Sequence, residues 1–145
     1  MNHRYTVRLA SWQDDEKAIY RIRETVFVQE QSVDAEIEWD GLDAACLQAL
    51  AEDENRDAIG TGRLHPSGKI GRIAVMPSWR GQGVGAAIME CLTEAARQDG
   101  LDEVYLHAQT YVVDFYARLG FVPEGEEFDE ADIPHRFMRR RLAND

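Results

Sequence analysis

Three glycines at alternate positions, Gly81, Gly83 and Gly85 in the run Arg80-Gly81-Gln82-Gly83-Val84-Gly85, constrain this chain more than any other feature. Upstream, Ile70 to Met76 is an apolar run that reads as a buried strand, and Pro77, which cannot donate to a ladder, stops it. Downstream, Val84, Ala87, Ile88, Cys91, Leu92 and Ala95 recur at the spacing of one helix face, and Gly100 supplies the stop. The glycines therefore lie at a strand-to-helix turn. Glycine permits positive φ and lets a ligand approach the backbone. Successive N–H groups at a helix N-terminus, aided by the helix dipole, make a nest for an anion. Glu103 to Gln109 is the return strand, so the turn belongs to a strand–helix–strand crossover.

The remaining elements build a mixed α/β domain around that crossover. Tyr5 to Leu9 alternates as a first strand. Ser11, with Asp14 three residues on, resembles a helix start, and Ala18, Ile19, Ile22 and Val26 carry the helix to about Phe27. Residues 30 to 43 are acidic and irregular, a loop with a short helix. Cys46 to Ala51 and Ala58 to Leu64 form a hairpin through Glu54-Asn55-Arg56-Asp57. Val112, Phe115, Tyr116 and Leu119 share the face of a short helix ended by Gly120. Phe121 to Val122 and His135 to Leu142 make two closing strands. The 145 residues suit one domain, 1–145.

Composition narrows the partners. A net charge of −11 argues against a nucleic-acid binder, and the arginines at 136 and 139–141 are expected to pair with neighbouring acids. No apolar run reaches the roughly 20 residues of a membrane span. Met1 to Tyr5 has no apolar stretch behind it, so no signal peptide is expected, and a cytoplasmic location is. Cys46 and Cys91 read as reduced, buried thiols. The four histidines show no metal-ligand spacing, so no metal is expected.

The glycine loop admits four readings. One is a turn without a ligand. A second is a dinucleotide fingerprint, since Gly81-x-Gly83-x-x-Ala86 satisfies its letters. It fails on context: the motif lies mid-chain, and Asp102 and Glu103 fall at the start of the next strand rather than its end. A nucleotide P-loop lacks the closing Gly-Lys-Ser/Thr.

The fourth reading rests on a family resemblance. Arg80-x-x-Gly83-x-Gly85 after Arg72-Ile73-Ala74-Val75 resembles the acetyl-CoA motif of the GNAT N-acetyltransferase superfamily. Asp114-Phe115-Tyr116-Ala117-Arg118-Leu119-Gly120-Phe121 resembles its second signature, and Gln109 stands where that family often has Asn. Val26-Phe27-Val28-Gln29-Glu30-Gln31, Leu106-His107-Ala108-Gln109, and Gly125-Glu126-Glu127-Phe128 leading to Ile133-Pro134-His135 look like the ElaA-like branch. Ser32-Val33-Asp34 departs from its usual aromatic or proline residues.

The resemblance implies a GNAT fold: a central, mostly antiparallel sheet with a parallel β-α-β crossover, flanked by helices. It implies acetyl transfer from acetyl-CoA to a primary amine, small or on a peptide, by direct attack in a ternary complex. The rival is a non-catalytic acyl-CoA-binding sensor or interaction domain. A homodimer is open to either. Acetyl-CoA would lie on Ile73, Ala74, Val75, Arg80, Gly81, Gln82, Gly83, Val84, Gly85, Ala86 and Gln109, with Arg80 a cation at the nest's mouth. Tyr116 would be the general acid, and the Val75 N–H would polarise the thioester carbonyl. Glu30, His107 and His135 are candidates for the base. The acids Glu30, Asp34, Glu36, Glu38, Asp40 and Asp43 suggest a wall that attracts a cationic acceptor.

Overall fold

The computed structural model describes residues 4–33 and 39–142. In chain order its main elements are β1 (Tyr5–Ala10), α1 (Trp12–Arg23), β2 (Leu47–Asp53), β3 (Ala58–Leu64), β4 (Ile70–Val75), α2 (Val84–Gln98), β5 (Glu103–Gln109), α3 (Val113–Arg118), β6 (Val122–Glu130) and β7 (Ile133–Arg141). The helix start is held by Asp15 rather than Asp14. The Ser11 backbone N–H donates to the Asp15 carboxylate at 3.0 Å, and Arg8 binds the same carboxylate. Beyond Arg23, α1 does not stop near Phe27 but loosens into a π-helical turn, Glu24–Glu30. Such turns are frequent at functional sites.

The strands form two antiparallel sheets, β1-β2-β3-β4 and β5-β7-β6. They meet where β4 and β5 run parallel, joined through α2, and among the described residues a single bridge, Lys69 to Tyr105, pairs the two there. The mostly antiparallel sheet with a parallel crossover is thus present, but it parts at the parallel step. A bulge accompanies the parting. Arg63 pairs with Gly71 and Thr61 with Ala74, so Arg72 and Ile73 together oppose Gly62. Arg72 takes φ of 54°, a left-handed conformation costing on the order of 1–3 kcal/mol in a non-glycine residue. A bulge of this kind bends its strand and sharpens the twist.

Helices cover both faces of the first sheet. Ile19, Ile22 and Val26 of the first helical stretch pack with Leu50, Ala58 and Ala74. Val84, Ile88 and Leu92 of α2 pack with Ala49, Ala51 and Ile59 on the other face. Close seating of α2 depends on Gly60 and Gly62 of β3. A Cβ at Gly60 would stand 2.9 Å from Ile88 Cδ1, and one at Gly62 2.9 Å from Ile88 Cγ2. The buried face of α2 is wider than periodicity suggests, taking in Met89, Thr93 and Ala96, because this helix also covers Val104, Leu106 and Ala108 of the second sheet's core.

The closing hairpin differs from expectation. β6 extends to Glu130 rather than ending at Val122. It is an edge strand, where acids face water and a proline is tolerated. Its register shifts between Glu124 and Phe128, with Gly125 at φ of 77°. The two-residue turn Ala131-Asp132 has both residues at positive φ, as a tight primed hairpin requires. Among the described residues no helix is long and apolar enough to cross a membrane. Cys46 is buried, Cys91 half-buried, and both are free thiols.

Candidate functional site

The parting of β4 from β5 opens a cleft of about 990 Å³. Every residue assigned from the sequence to acetyl-CoA binding or catalysis lines it except Gln82. The Gln82 side chain turns to the Ser78 carbonyl at 3.3 Å, and its own carbonyl accepts from the Tyr5 hydroxyl at 3.4 Å. At one end lies the helix start. Gly83 is the N-cap of α2 at φ of 88°, and the Ala87 N–H makes the first bond of the helix, to the Gly83 carbonyl. The N–H groups of Val84, Gly85 and Ala86 are left without intrahelical acceptors. Gly85 itself is helical, so its requirement is space. A Cβ there would meet Phe115 Cζ at 3.4 Å.

Along the wall, the Met76 N–H donates to Ile59 on β3 at 2.9 Å. Alternation along the strand then turns the peptide groups of Val75 toward the gap. There the Val75 carbonyl accepts from Arg80 Nε at 3.0 Å. The rest of the Arg80 guanidinium is bidentate on Glu30, at 2.5 and 2.6 Å. Arg80 is therefore not a free cation at the nest's mouth; it ties β4 to the π-turn. Arg80's hydrogen bonds and charge outweigh burial and hold the Glu30 carboxyl below its usual range, which makes it a poorer base.

Gln109 ends β5 and donates to Gln31 Oε1 at 2.9 Å, so two residues of the resemblance motifs meet across the cleft. Tyr116 packs edge-on to Phe115 and Phe121. Burial, with a smaller effect from Tyr111, pushes its hydroxyl up to about 12, so it stays protonated and can only donate near neutral pH.

Two charged groupings escaped the sequence reading. In the first, Glu130 bridges His107 and His135: its carboxylate lies 2.9 Å from His107 Nδ1 and 3.7 Å from His135 Nε2. Burial alone pushes the Glu130 carboxyl up, but the His107 hydrogen bond and the charges of His107, Lys69 and His135 hold it below its usual range. Its place became readable only with the β6–β7 register, which sets Glu130 opposite Ile133 and Phe128 opposite His135.

In the second, Asp43 accepts from Arg23 at 2.5 Å and Arg63 at 2.9 Å, while Asp40 takes Arg63 bidentately and Arg72 at 3.2 Å. Burial pushes the Asp40 carboxyl up; bonds from Arg63 and the Leu42 N–H, with the charges of Arg63 and Arg72, hold it well below the carboxylate range. The described part of the acidic wall is thereby changed. Glu30, Asp40 and Asp43 are all neutralised by arginine, and Asp34, Glu36 and Glu38 lie outside the described residues. At the C-terminal strand, Arg139 pairs with Glu103 and Arg140 with Glu90, while Arg136 donates to the Gly125 carbonyl. Among the described residues no group of three His, Cys, Asp or Glu side chains is placed to hold a metal ion.

Known proteins share this chain's sequence pattern and fold. A family model described as the acetyltransferase (GNAT) domain matches residues 14–142. The uncharacterized N-acetyltransferase YjcF of Bacillus subtilis is 38% identical over 136 residues, covering 91% of this chain and 96% of that protein. Protein ElaA of Escherichia coli is 32% identical over 133 residues, 86% of either chain. Its crystal structure superposes with a TM-score of 0.82 over 95% of this chain and 99% of that one, at 29% identity. The crystal structure of an acyl-CoA N-acyltransferase from Pseudomonas aeruginosa gives 0.79 at 33% identity, again over 95% and 99%. The chain belongs to the GNAT acetyltransferase family, in its ElaA-like branch, and is an acyltransferase.

Proposed function

We propose that the chain is an N-acetyltransferase that takes acetyl-CoA as co-substrate and passes the acetyl group to a primary amine by direct attack in a ternary complex. The observation that carries the reading is the cleft, where a glycine-capped helix start, an unpaired edge of β4 and a protonated tyrosine face one space.

The diphosphate of CoA suits the free N–H groups of Val84, Gly85 and Ala86. The pantetheine arm suits the edge of β4 at Ile73 and Val75, where an amide chain can add as a strand does. The Val75 N–H then serves the thioester oxygen as negative charge develops on it. Gln109, bonded to Gln31, borders the same arm. Tyr116 donates to the sulfur as the C–S bond breaks. Because a phenol near 12 is a weak acid beside a thiol of about 8.5, stabilisation of the thiolate by the hydrogen bond precedes any complete proton transfer. No covalent enzyme intermediate is needed, since aligned reactants reach effective molarities of about 10⁵–10⁸ M. Glu30, engaged by Arg80, keeps the β4 wall in place. His135 lies on the acceptor side through its contact with Glu130.

The test is release of free thiol from acetyl-CoA across a panel of alkylamines, polyamines, aromatic amines and basic peptides, with the acetylated product identified by mass. Amine-dependent release supports the reading. Saturable acetyl-CoA binding with no release for any amine would leave the non-catalytic acyl-CoA sensor in its place.

A further inference from the structure

Amine acetylation begins with a proton problem. An alkylamine resembling a lysine side chain is an ammonium ion near pH 7 and must be neutral to attack. The sequence offers three groups to accept its proton, and their surroundings separate them. Glu30 is held by two bonds from Arg80. The His135 ring is buried, with Nδ1 at 2.6 Å from the Ile133 carbonyl, which can only accept, so Nδ1 carries the proton and Nε2 is turned toward Glu130. His107 differs from both. Its Nδ1 faces the Glu130 carboxylate at 2.9 Å, its side chain is one-quarter exposed on the cleft wall, and its Nε2 has no partner among the described residues.

We infer that His107 is the catalytic base of the acetyl transfer proposed above, with Glu130 as the residue that positions it. The inference rests on that reading of the function. A carboxylate accepting the Nδ1–H fixes the neutral ring in the tautomer whose lone pair is on Nε2, and it stabilises the imidazolium that forms once a proton is taken. Phe128 braces the ring edge-on at 5.2 Å and also lies against His135, so the carboxylate and both imidazoles form one packed unit.

Position agrees with the role. His107 and Gln109 are two residues apart on β5 and face the same side, about 7 Å from each other. Gln109 borders the place proposed for the pantetheine arm. His107 lies further toward the Lys69–Tyr105 junction, where β4 and β5 close on one another. An amine between the thioester and that junction lies against His107 directly or through one water.

The steps balance. The ammonium N–H bond breaks and its proton goes to His107 Nε2. The freed nitrogen pair forms the C–N bond to the acetyl carbon. The C–S bond then breaks with its electron pair going to sulfur, which takes a proton from Tyr116, and Tyr116 recovers one from the nitrogen as it becomes an amide. His107 returns its proton to solvent past Glu130, whose side chain is 41% exposed. The titratable and charged groups facing His107 are Glu130 from β6, His135 from β7 and Lys69 ahead of β4. Tyr105 is its neighbour along β5, with its hydroxyl bonded to Ser67.

The test uses the full chain with two acceptors of similar size, benzylamine, which must lose a proton at pH 7, and aniline, which is already neutral. His107→Gln should lower kcat/KM for benzylamine roughly 10²–10⁴-fold at pH 7, and the loss should shrink as pH rises toward the amine's own pKa. Aniline should lose less than about tenfold, and calorimetry should give an unchanged acetyl-CoA affinity. Glu130→Gln should reproduce the benzylamine effect at about 10–100-fold, the scale of lost outer partners to a functional histidine. Equal losses for the two amines, or a pH profile unmoved by His107→Gln, would overturn the base. Nitrogen-15 NMR of the free protein gives a second readout without any acceptor. The His107 ring should be in the Nδ1–H tautomer in wild type and lose that preference in Glu130→Gln; an Nε2–H tautomer in wild type would overturn the positioning. Wild type that binds acetyl-CoA and acetylates no amine would instead overturn the functional reading, and the base with it.

Discussion

Asp43→Asn tests the buried ion-pair cluster that joins Arg23, Asp43 and Arg63. Arg23 is fully buried and Asp43 nearly so, and one Asp43 oxygen accepts from both Arg23 and Arg63. Asparagine keeps the shape and one acceptor but removes the charge that two guanidinium groups share. Asp40, already serving Arg63 and Arg72, becomes the remaining carboxylate of the cluster. Removing one partner of a buried ion pair costs about 3–5 kcal/mol, mostly because a charge is left uncompensated out of water. A domain of this size is stable by about 5–15 kcal/mol, so roughly a fifth or more of that is at stake. At about 3 °C per kcal/mol for a chain of this length, the thermal midpoint should fall by about 10–15 °C. Urea unfolding followed by circular dichroism measures the loss, with an unchanged slope showing that the same surface is exposed. The double variant Asp43→Asn/Arg63→Met removes a cation together with its partner and should lose less than the sum of the singles. A loss below about 1 kcal/mol for Asp43→Asn, the scale of a surface pair, would refute the reasoning and mean that water reaches the cluster.

Gly83→Val forces a branched residue to φ of 88°, costing upward of about 1–2 kcal/mol, and places side-chain atoms at the nest; calorimetry on the folded variant should find no saturable acetyl-CoA binding, and unchanged affinity would remove the nest. Tyr116→Phe should lower kcat by roughly 10²–10⁴ while acetyl-CoA affinity holds. Since the Tyr116 hydroxyl is pushed up to about 12, it ionises only above the assay range, and wild type should show no fall in kcat below pH 10 that Tyr116→Phe abolishes. Glu30→Gln should cost less than about tenfold in kcat/KM, because its carboxylate holds Arg80; a loss of 10²-fold or more would restore it as the base.

What the sequence made legible follows from the range of the forces involved. The crossover, the glycine turn and α2 are written in local periodicity and backbone chemistry, and they appear where Ile70, Gly83 and Leu92 point. β6 was not legible beyond Val122 because Pro123, Gly125 and a run of acids mimic a loop; an edge position makes those residues tolerable, and edges are set by the whole sheet. The arginine–aspartate cluster was hidden for a different reason. Charged residues are read as solvated unless a partner is known, and the partners of Asp43 and Asp40 lie 20 to 32 positions away. Glu130 combines both difficulties: it sits on the unread strand, and its histidines come from two other strands.

The same pairings resolve the conflict between an acidic chain and an anionic co-substrate. A net charge of −11 acts at a distance, and salt screens exposed charges beyond about 8 Å at physiological ionic strength. Backbone N–H groups act at contact, where screening does little. The decisive question is therefore which acids stand at the cleft itself, and the described ones are spent inside the protein: Glu30 on Arg80, Asp40 on Arg63 and Arg72, Glu130 on His107. The described part of the wall expected to attract cations, Glu30, Asp40 and Asp43, is a set of ion pairs with Arg80, Arg63, Arg72 and Arg23. Of the three cleft acids Glu30, Asp40 and Glu130, two pair with a permanent cation and only Glu130 faces a group that can exchange a proton. Among the described acids of the cleft, it is therefore Glu130 and its histidines whose protonation changes the local charge.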